Sequence, residues 1–582
     1  MMPTGFETPG PGAVADLQAG EFTTFTVSRT GSIEIPAASE TRSYLVIVHD
    51  DRSEPGGAID VVFQASRVPA AGRFNDLARS VQPPEVRSQA ARDPFAHWFE
   101  EGENAFRRQA VERLRRVGAR PVAAVRPGGG ARASLNPNIP TVGQLLALRS
   151  PVGGDGGLAT CTSTSRVVAR VRAVGPHFAL VEDTLVAGAL TQADYAEILS
   201  QVEGVSWPVD SAYFGTPRDL DGNGRVLALV TPEVNRLGAA GFFTVTDLAP
   251  AADCPASNEG EILWLIAPDP ARQFGFDPIP IGLVKTRLAG IVSHELQHLI
   301  HAERRVFEAG GDFDSPDELW LNEGLSHIAE EVSGFYDAGR HTGEDLAFDD
   351  LGEPATQERF SRYHLSDFRF VRDYLQNPRA VPALLDDPVT RGQLRRARGF
   401  GYLFLRWLAD QYASEGAPGL VGTLEEEALF RDLTVGGATL LRSTQNVVAA
   451  LARRGEVHTW AELFSDYVGM PGVDGVADAD IPLDGKLELA SWNLPQVYEN
   501  ARANGFALDF PDGFPLRPTP VLLRTIPASG FSAQVRLLPT TGAYFRVEGL
   551  SETPLSRISV TSSTGSSLPS GNEIRVTIVR TF

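Results

Sequence analysis

The sequence predicts a multidomain α+β protein, and three observations carry that prediction. The chain has 582 residues, more than one hydrophobic core usually organises. Both ends alternate apolar and polar residues with the period of β-strands, whereas the middle contains long stretches of helical spacing. We therefore expect a central domain of mixed sheet and helices, flanked by N- and C-terminal β-sandwich-like domains.

The expected N-terminal β domain covers residues 1–70. Apolar and polar residues alternate in Phe22–Val27, Tyr44–Val48 and Ile59–Phe63, with Gly and Pro between them. This pattern is typical of a small β-sandwich. Residues 480–582 show the same alternation and predict a second, C-terminal β-sandwich-like accessory domain.

Residues 71–138 form a predicted helical and linker segment. In His97–Arg116, Glu and Arg recur at the spacing of neighbours on a helix. Pro127–Gly130 has the composition of a linker. We interpret the segment as an interdomain connector, with a propeptide-like role as the alternative.

The predicted central domain covers residues 139–479. Strand patterns at Arg166–Val174, Phe178–Asp183 and Val226–Val230 accompany a helical pattern at Ala193–Leu199. The second half of the domain is mostly helical. We expect a mixed sheet followed by a mainly helical half.

The centre of this domain carries the pattern His-Glu-x-x-His. His294 and His298 are four residues apart in a stretch of helical spacing, so their side chains share one face. Two imidazoles placed in this way can bind one Zn²⁺, and Glu295 is the expected general base that takes a proton from water. Roughly 0.01 such matches are expected by chance in a chain of this composition.

A second helical pattern, Glu318–Glu331, follows this motif. A zinc site with two His ligands needs a third protein ligand and an open position, and Glu323 is the candidate. His301 and His327 are the alternatives. His301 lies nearly one turn beyond His298, which argues against it.

These two motifs resemble those of the gluzincin metallopeptidases, and Trp320–Glu331 resembles the hyicolysin family of secreted bacterial neutral zinc metallopeptidases. The resemblance runs over about residues 140–470. It implies a zincin-like fold in which the two motif histidines and Glu323 bind zinc and Glu295 is the catalytic base. It also implies protein or peptide substrates and a secreted or cell-envelope location.

The chain departs from the family pattern in two places. More residues separate His298 from Glu323 than in the best-known gluzincins, and His327 stands where thermolysin-like enzymes have Asp. His327 is therefore a candidate transition-state donor, a partner of a ligand, or a competing ligand. The first residues, Met1 to Phe6, show no signal peptide.

The residue that stabilises the oxyanion stays open. Gluzincin aminopeptidases carry a Tyr three residues before a helical Gly; matched at Gly399, that position is Arg396, whose guanidinium can act electrostatically. His327, His364 and Tyr363 are the alternatives. The sequence lacks a Gly-Ala-Met-Glu-Asn type stretch that captures a free amine, so the resemblance favours an endopeptidase.

Two further sites are predicted beside the zinc motif. Asp219, Asp221 and Asn223 are spaced like the first oxygen ligands of a calcium loop, with an Asx-rich turn as the alternative. Glu261–Ile266 is the candidate edge strand for substrate. We expect Glu261, Leu263 and Leu265 to contact substrate there by β-augmentation, with an ordinary core strand as the alternative.

Composition limits the partners. The net charge of −21 argues against nucleic acid and anionic membranes, and no apolar run reaches transmembrane length. We expect a monomer. Cys161 and Cys254 are expected to form a disulfide outside the cytosol, with two thiols as the alternative.

Two functions fit these features. The first is a zinc endopeptidase. The second is a secreted binding or surface protein whose metallopeptidase domain is vestigial. The presence of Glu295 favours the first, because a degenerate site is free to lose its base.

Overall fold

The computed structural model describes residues 17–27, 31–35, 42–54, 56–67, 101–121, 139–152, 161, 165–275, 278–313, 318–353, 355–379, 384, 390–437, 439–473, 482–522, 530–548, 556–563 and 574–582. The predicted linker at Pro127–Gly130 lies outside these residues. Among the helices in these ranges, none combines the length and the apolarity needed to cross a bilayer.

The strands of the described residues are β1 Phe22–Thr26, β2 Gly31–Ile35, β3 Ser43–Asp50, β4 Ile59–Arg67, β5 Leu145–Arg149, β6 Arg166–Val174, β7 Phe178–Asp183, β8 Val226–Thr231, β9 Gly241–Phe243, β10 Ile262–Ile266, β11 Thr519–Leu522, β12 Phe531–Leu537, β13 Thr541–Glu548, β14 Ser556–Ser562 and β15 Ile574–Arg580. The α-helices are α1 Glu101–Val117, α2 Gln192–Gln201, α3 Trp207–Tyr213, α4 Pro232–Leu237, α5 Ile281–Glu303, α6 Leu319–Ala338, α7 Thr356–Arg359, α8 Leu365–Leu375, α9 Arg391–Tyr412, α10 Leu424–Val435, α11 Ser443–Arg453, α12 Trp460–Tyr467, α13 Met470–Val473 and α14 Leu494–Ala503.

One β-sandwich is built from both ends of the chain. Its sheets have the strand orders β1-β15-β3-β13-β11 and β12-β4-β14-β2. The N-terminal strand β3 pairs with C-terminal strands on both sides. This pairing contradicts the expectation of separate β domains at 1–70 and 480–582. Alternation shows that a strand has one buried face, but it does not identify the distant strand that pairs with it.

The central sheet is mixed, as the sequence predicted, and has the order β5-β6-β7-β8-β10-β9. Strands β7, β8 and β10 run parallel, and β9 pairs antiparallel with β10. The predicted edge strand Glu261–Ile266 is therefore an interior strand, because β8 and β9 occupy both of its sides. Leu263 and Leu265 are fully buried there. The edge beside the predicted metal site is β9.

The helical half is arranged around α5, α6 and α9, and α5 also packs against β9 and β10. Two glycines let α6 and α9 approach closely: a Cβ on Gly401 would lie 2.1 Å from the carbonyl oxygen of Trp320, and one on Gly324 would lie 2.9 Å from the Gly401 carbonyl carbon. The indole of Trp492 donates to Glu331 of α6 at 2.6 Å, so the helical unit continues beyond its predicted end at residue 479.

Three other local predictions are confirmed. Strands β6 and β7 have the predicted bounds, and α5 and α6 contain the two predicted motif helices. Cys161 and Cys254 form a disulfide.

Candidate metal centre

Helix α5 brings the two motif histidines together. Both side chains are buried, and His294 Nε2 lies 3.1 Å from His298 Nε2. The i, i+4 spacing produces this arrangement, because it sets residues one above the other on a helix face. The pair points towards α6.

Helix α6 supplies a carboxylate to the same point. Glu323 Oε2 lies 3.5 Å from His294 Nε2 and 3.8 Å from His298 Nε2. Ligand atoms about 2.0–2.2 Å from a tetrahedral Zn²⁺ are roughly 3.3–3.6 Å apart, so these three atoms fit such an ion. The buried group His294, His298 and Glu323 can therefore hold a metal ion. Among the described residues, His301 belongs to no such group.

Each motif histidine is oriented by a side chain of α6. His294 Nδ1 lies 2.7 Å from Glu330 Oε1, and His298 Nδ1 lies 3.1 Å from Asn322 Oδ1. A polar partner on the second ring nitrogen fixes the ring and its tautomer for binding through the first. The Nε2 atoms are thus the metal-facing atoms of both rings.

Charges around the site set the protonation of these groups. Burial lowers the pKa of His294, but hydrogen bonds to Glu323 and Glu330 outweigh it and raise that pKa to about 10. Burial, reinforced by Arg107, holds the pKa of His298 well below its ordinary value. Burial acts to raise the pKa of Glu323, but Arg398 and Arg107 outweigh it and keep the carboxylate ionised.

Glu295 lies between α5 and the edge strand. Its Oε2 accepts a hydrogen bond of 3.0 Å from the backbone N–H of Phe243 in β9. Strand and helix approach closely here because β9 begins with glycine: a Cβ on Gly241 would lie 2.7 Å from Ile291 Cγ2 and 3.1 Å from Glu295 Cγ. The expected general base is therefore held at a defined place beside the histidines.

An arginine from α1 reaches into the same site. Arg107 Nη1 donates to Glu323 Oε1 at 2.7 Å, and Arg107 Nη2 lies 3.4 Å from Glu295 Oε2. The guanidinium thus bridges the expected base and the expected third ligand. Sequence reasoning missed this residue, since 188 positions separate it from Glu295.

His327 lies next to the histidine pair, and its Nδ1 faces two carboxylates. Its Nδ1 is 2.8 Å from Asp367 Oδ1 and 3.2 Å from Glu330 Oε1. Burial lowers its pKa to about 4. His294, His327 and Glu330 form a second group that can hold a metal ion. It competes for His294, whose Nε2 already converges with His298 and Glu323, so the first group is the better-formed site.

A cleft opens beside the metal-binding group. It encloses about 870 Å³ including its open mouth, and both polar and apolar side chains line it. Its charged and imidazole-bearing residues are Arg287, His294, Glu295, His327, Glu330, Arg362, Arg369, Arg395 and Arg398. Five arginines against two glutamates make this wall basic in an acidic protein.

The candidates for oxyanion stabilisation differ in whether they line the cleft. His327 lines the cleft, whereas Arg396, Tyr363 and His364 are not among its described lining residues. The Nε of Arg396 donates to the carbonyl oxygen of Asp373 at 3.1 Å, so the expectation for Arg396 is contradicted. Residues two apart point to opposite sides of a helix. It is Arg398 that reaches the site, with Nη2 2.9 Å from Glu323 Oε2.

The predicted calcium loop forms an acidic group of different composition. Asp219, Asp221 and Glu261 can together hold a metal ion. In the same loop, Asn223 Oδ1 accepts from the backbone N–H of Arg225 at 2.6 Å, and its amide donates to Asp221 at 2.6 Å. Glu261, which we expected to contact substrate, therefore lies in this acidic group instead.

Glu261 is the buried member of the acidic group. It is 2% exposed, and one oxygen accepts from the Leu220 N–H at 2.8 Å. Within the described part of the chain, its Oε2 has no hydrogen-bond partner. Burial, and then the charge of Glu303 at the end of α5, raise the pKa of Glu261 to about 9. A bound cation would relieve this carboxylate of its neighbours' charge.

No family model matches the chain, and no curated protein matches it.

Proposed function

We propose that this protein is a zinc-dependent endopeptidase of the gluzincin type, similar to the hyicolysin-like neutral metallopeptidases. One observation carries the proposal. Two imidazole nitrogens and one carboxylate oxygen converge on a buried point, and Glu295 lies beside that point. Two nitrogen ligands, one oxygen ligand and a neighbouring carboxylate are the donor set of catalytic zinc sites with an open position.

The chain's own residues supply the acid–base chemistry. Bound zinc would polarise a peptide carbonyl and lower the pKa of water. Glu295 is placed to take the proton from water and return it to the leaving amine. The Phe243 N–H donates to one oxygen of Glu295, which fixes the orientation of the carboxylate. His327, in the cleft wall, is our candidate donor to the oxyanion.

Substrate is proposed to add to β9. This strand is the edge of the central sheet and contacts α5 directly. An extended peptide added there would pass in front of Glu295 and continue along the basic cleft. Hydrolysis within a chain, rather than at its amino end, is proposed from the absence of an amine-capturing sequence.

Location outside the cytosol is part of the proposal. The Cys161–Cys254 disulfide supports it, because such bonds persist in oxidising compartments.

We also propose that Asp219, Asp221 and Glu261 bind Ca²⁺. All three offer oxygen, the ligand atom that Ca²⁺ prefers. The supporting observation is the buried Glu261 Oε2 without a hydrogen-bond partner. Glu303, the last residue of α5, accepts from the Arg218 N–H at 2.6 Å, so the loop also connects to the motif helix. The ion would stabilise the loop against that helix.

Casein hydrolysis before and after treatment with a zinc chelator tests the endopeptidase. We expect the chelator to abolish hydrolysis and added Zn²⁺, but not Ca²⁺, to restore it. Hydrolysis that persists with all zinc removed would contradict the proposal. Zinc-loaded wild type and zinc-loaded Arg107→Ala that both lack hydrolysis would favour the binding protein with a vestigial site.

A further inference from the structure

Helix α1 packs through a single stripe. Arg107, Ala110, Val111 and Leu114 recur at i, i+3, i+4 and i+7, the spacing of one helix face. Ala110 and Leu114 are each 1% exposed and belong to the main hydrophobic core. Arg108 on the other side of the helix is exposed. The contact with the rest of the molecule is therefore built into the helix, with one arginine in its apolar face.

The helix lies where substrate is proposed to bind. It contacts the turn Val245–Leu248, which directly follows the edge strand β9. Arg107, on the same helix, forms ion pairs with Glu295 and Glu323. A peptide adding to β9 and reaching Glu295 would meet both the helix and the guanidinium.

The guanidinium contacts both carboxylates of the site. Arg remains charged at any ordinary pH, and charge-assisted hydrogen bonds to carboxylates are the strong ones. Arg107 uses Oε1 of Glu323, while Oε2 faces the two histidines. The guanidinium therefore lies between Glu323 and Glu295, and a substrate carbonyl that approaches Glu295 would have to displace it.

From this geometry we propose that α1 is an intramolecular inhibitory helix and that Arg107 is its blocking residue. The proposal rests on the proposed endopeptidase function and names the regulation of that site. The protein is latent while α1 is docked, and it becomes active when α1 moves away.

The test compares Arg107→Ala with Arg108→Ala in the full-length, zinc-loaded protein. We expect Arg107→Ala to raise kcat/KM on casein-derived peptides about tenfold or more, because the competent population of the site grows. Arg108→Ala should equal wild type. Leu114→Ala, which loosens the apolar face and keeps Arg107, should also raise the rate, provided that its melting curve remains cooperative.

A second readout does not depend on turnover. Amide hydrogen exchange over residues 107–117, measured in the zinc-free protein, should be faster in Arg107→Ala than in Arg108→Ala, because the docked helix loses its anchor. Equal rates for wild type and Arg107→Ala, at equal zinc content, would overturn latency alone. No hydrolysis by any variant with zinc bound would overturn the endopeptidase and latency together.

Discussion

Two of the groups that can hold a metal ion offer different atoms in different surroundings. The group on α5 and α6 combines imidazole nitrogen with one carboxylate, is buried, and has each ligand oriented by a neighbour such as Glu330. The group at Asp219, Asp221 and Glu261 offers oxygen alone, and its two aspartates are exposed. Nitrogen-rich, oriented sites suit Zn²⁺, whereas oxygen-only loops suit Ca²⁺. This difference is the basis for proposing zinc-dependent catalysis at the first group and calcium-dependent stability of the loop at the second.

Loss of the carboxylate ligand should have the largest effect. Glu323→Ala removes the α6 contribution to the metal site and leaves Arg398 and Arg107 without their acceptor. We expect the zinc content after dialysis to fall from one per chain to nearly none, measured by atomic emission. The calcium-dependent rise in Tm should remain. Zinc retained at wild-type level would refute Glu323 as a ligand.

Loss of a ligand's orienting partner should cost less. Glu330→Gln keeps the shape near His294 Nδ1 but removes the carboxylate that orients the ring. We expect zinc affinity to fall about 10–100-fold, as is typical of such partners, measured by competition with a chromogenic chelator. Asp221→Asn is the matched control and should leave zinc affinity unchanged. An unaltered affinity in Glu330→Gln would show that His294 needs no such support.

The acidic group should show the smallest effect, on stability alone. Saturating Ca²⁺ at 100 times its Kd contributes about 2.7 kcal/mol to the free energy of unfolding, or a rise in Tm of roughly 2 °C for cooperative unfolding of a chain of this length. Glu261→Gln should abolish this rise, whereas Asn223→Ala should retain most of it, because the Asn223 oxygen is occupied by the Arg225 N–H. The reverse order would restore Asn223 as the ligand and remove Glu261. Differential scanning calorimetry with Ca²⁺ and with a calcium chelator measures both.

Local pattern predicted the two helices that carry His294, His298 and Glu323. The i, i+4 spacing of the motif and the helical pattern at Glu318–Glu331 are short-range properties, and α5 and α6 form where they predict. Glu330 was within reach of the same reasoning, since it lies on the face of α6 that carries Glu323 and His327. Arg398 was missed in favour of Arg396 because helix phase decides which of two nearby arginines faces the site.

Contacts between residues far apart in the chain could not be predicted from local sequence patterns. The sandwich pairs β3 with β13 and β15, across most of the chain, and alternation does not encode a partner. The position of β9 on the outside of β10 is likewise a property of the assembled sheet. Arg107 belongs to a segment that the sequence analysis interpreted as a connector, and only tertiary packing shows that it reaches Glu295.

The most direct measurement combines zinc content with hydrolysis in two proteins, Arg107→Ala and Arg107→Ala/Glu295→Gln. Both should hold one zinc per chain, because Glu295 is not a ligand. The second should hydrolyse casein about 10²–10⁴-fold more slowly, the usual contribution of a general base. Equal rates at equal zinc content would contradict the central claim that Glu295 is the proton acceptor of a zinc endopeptidase.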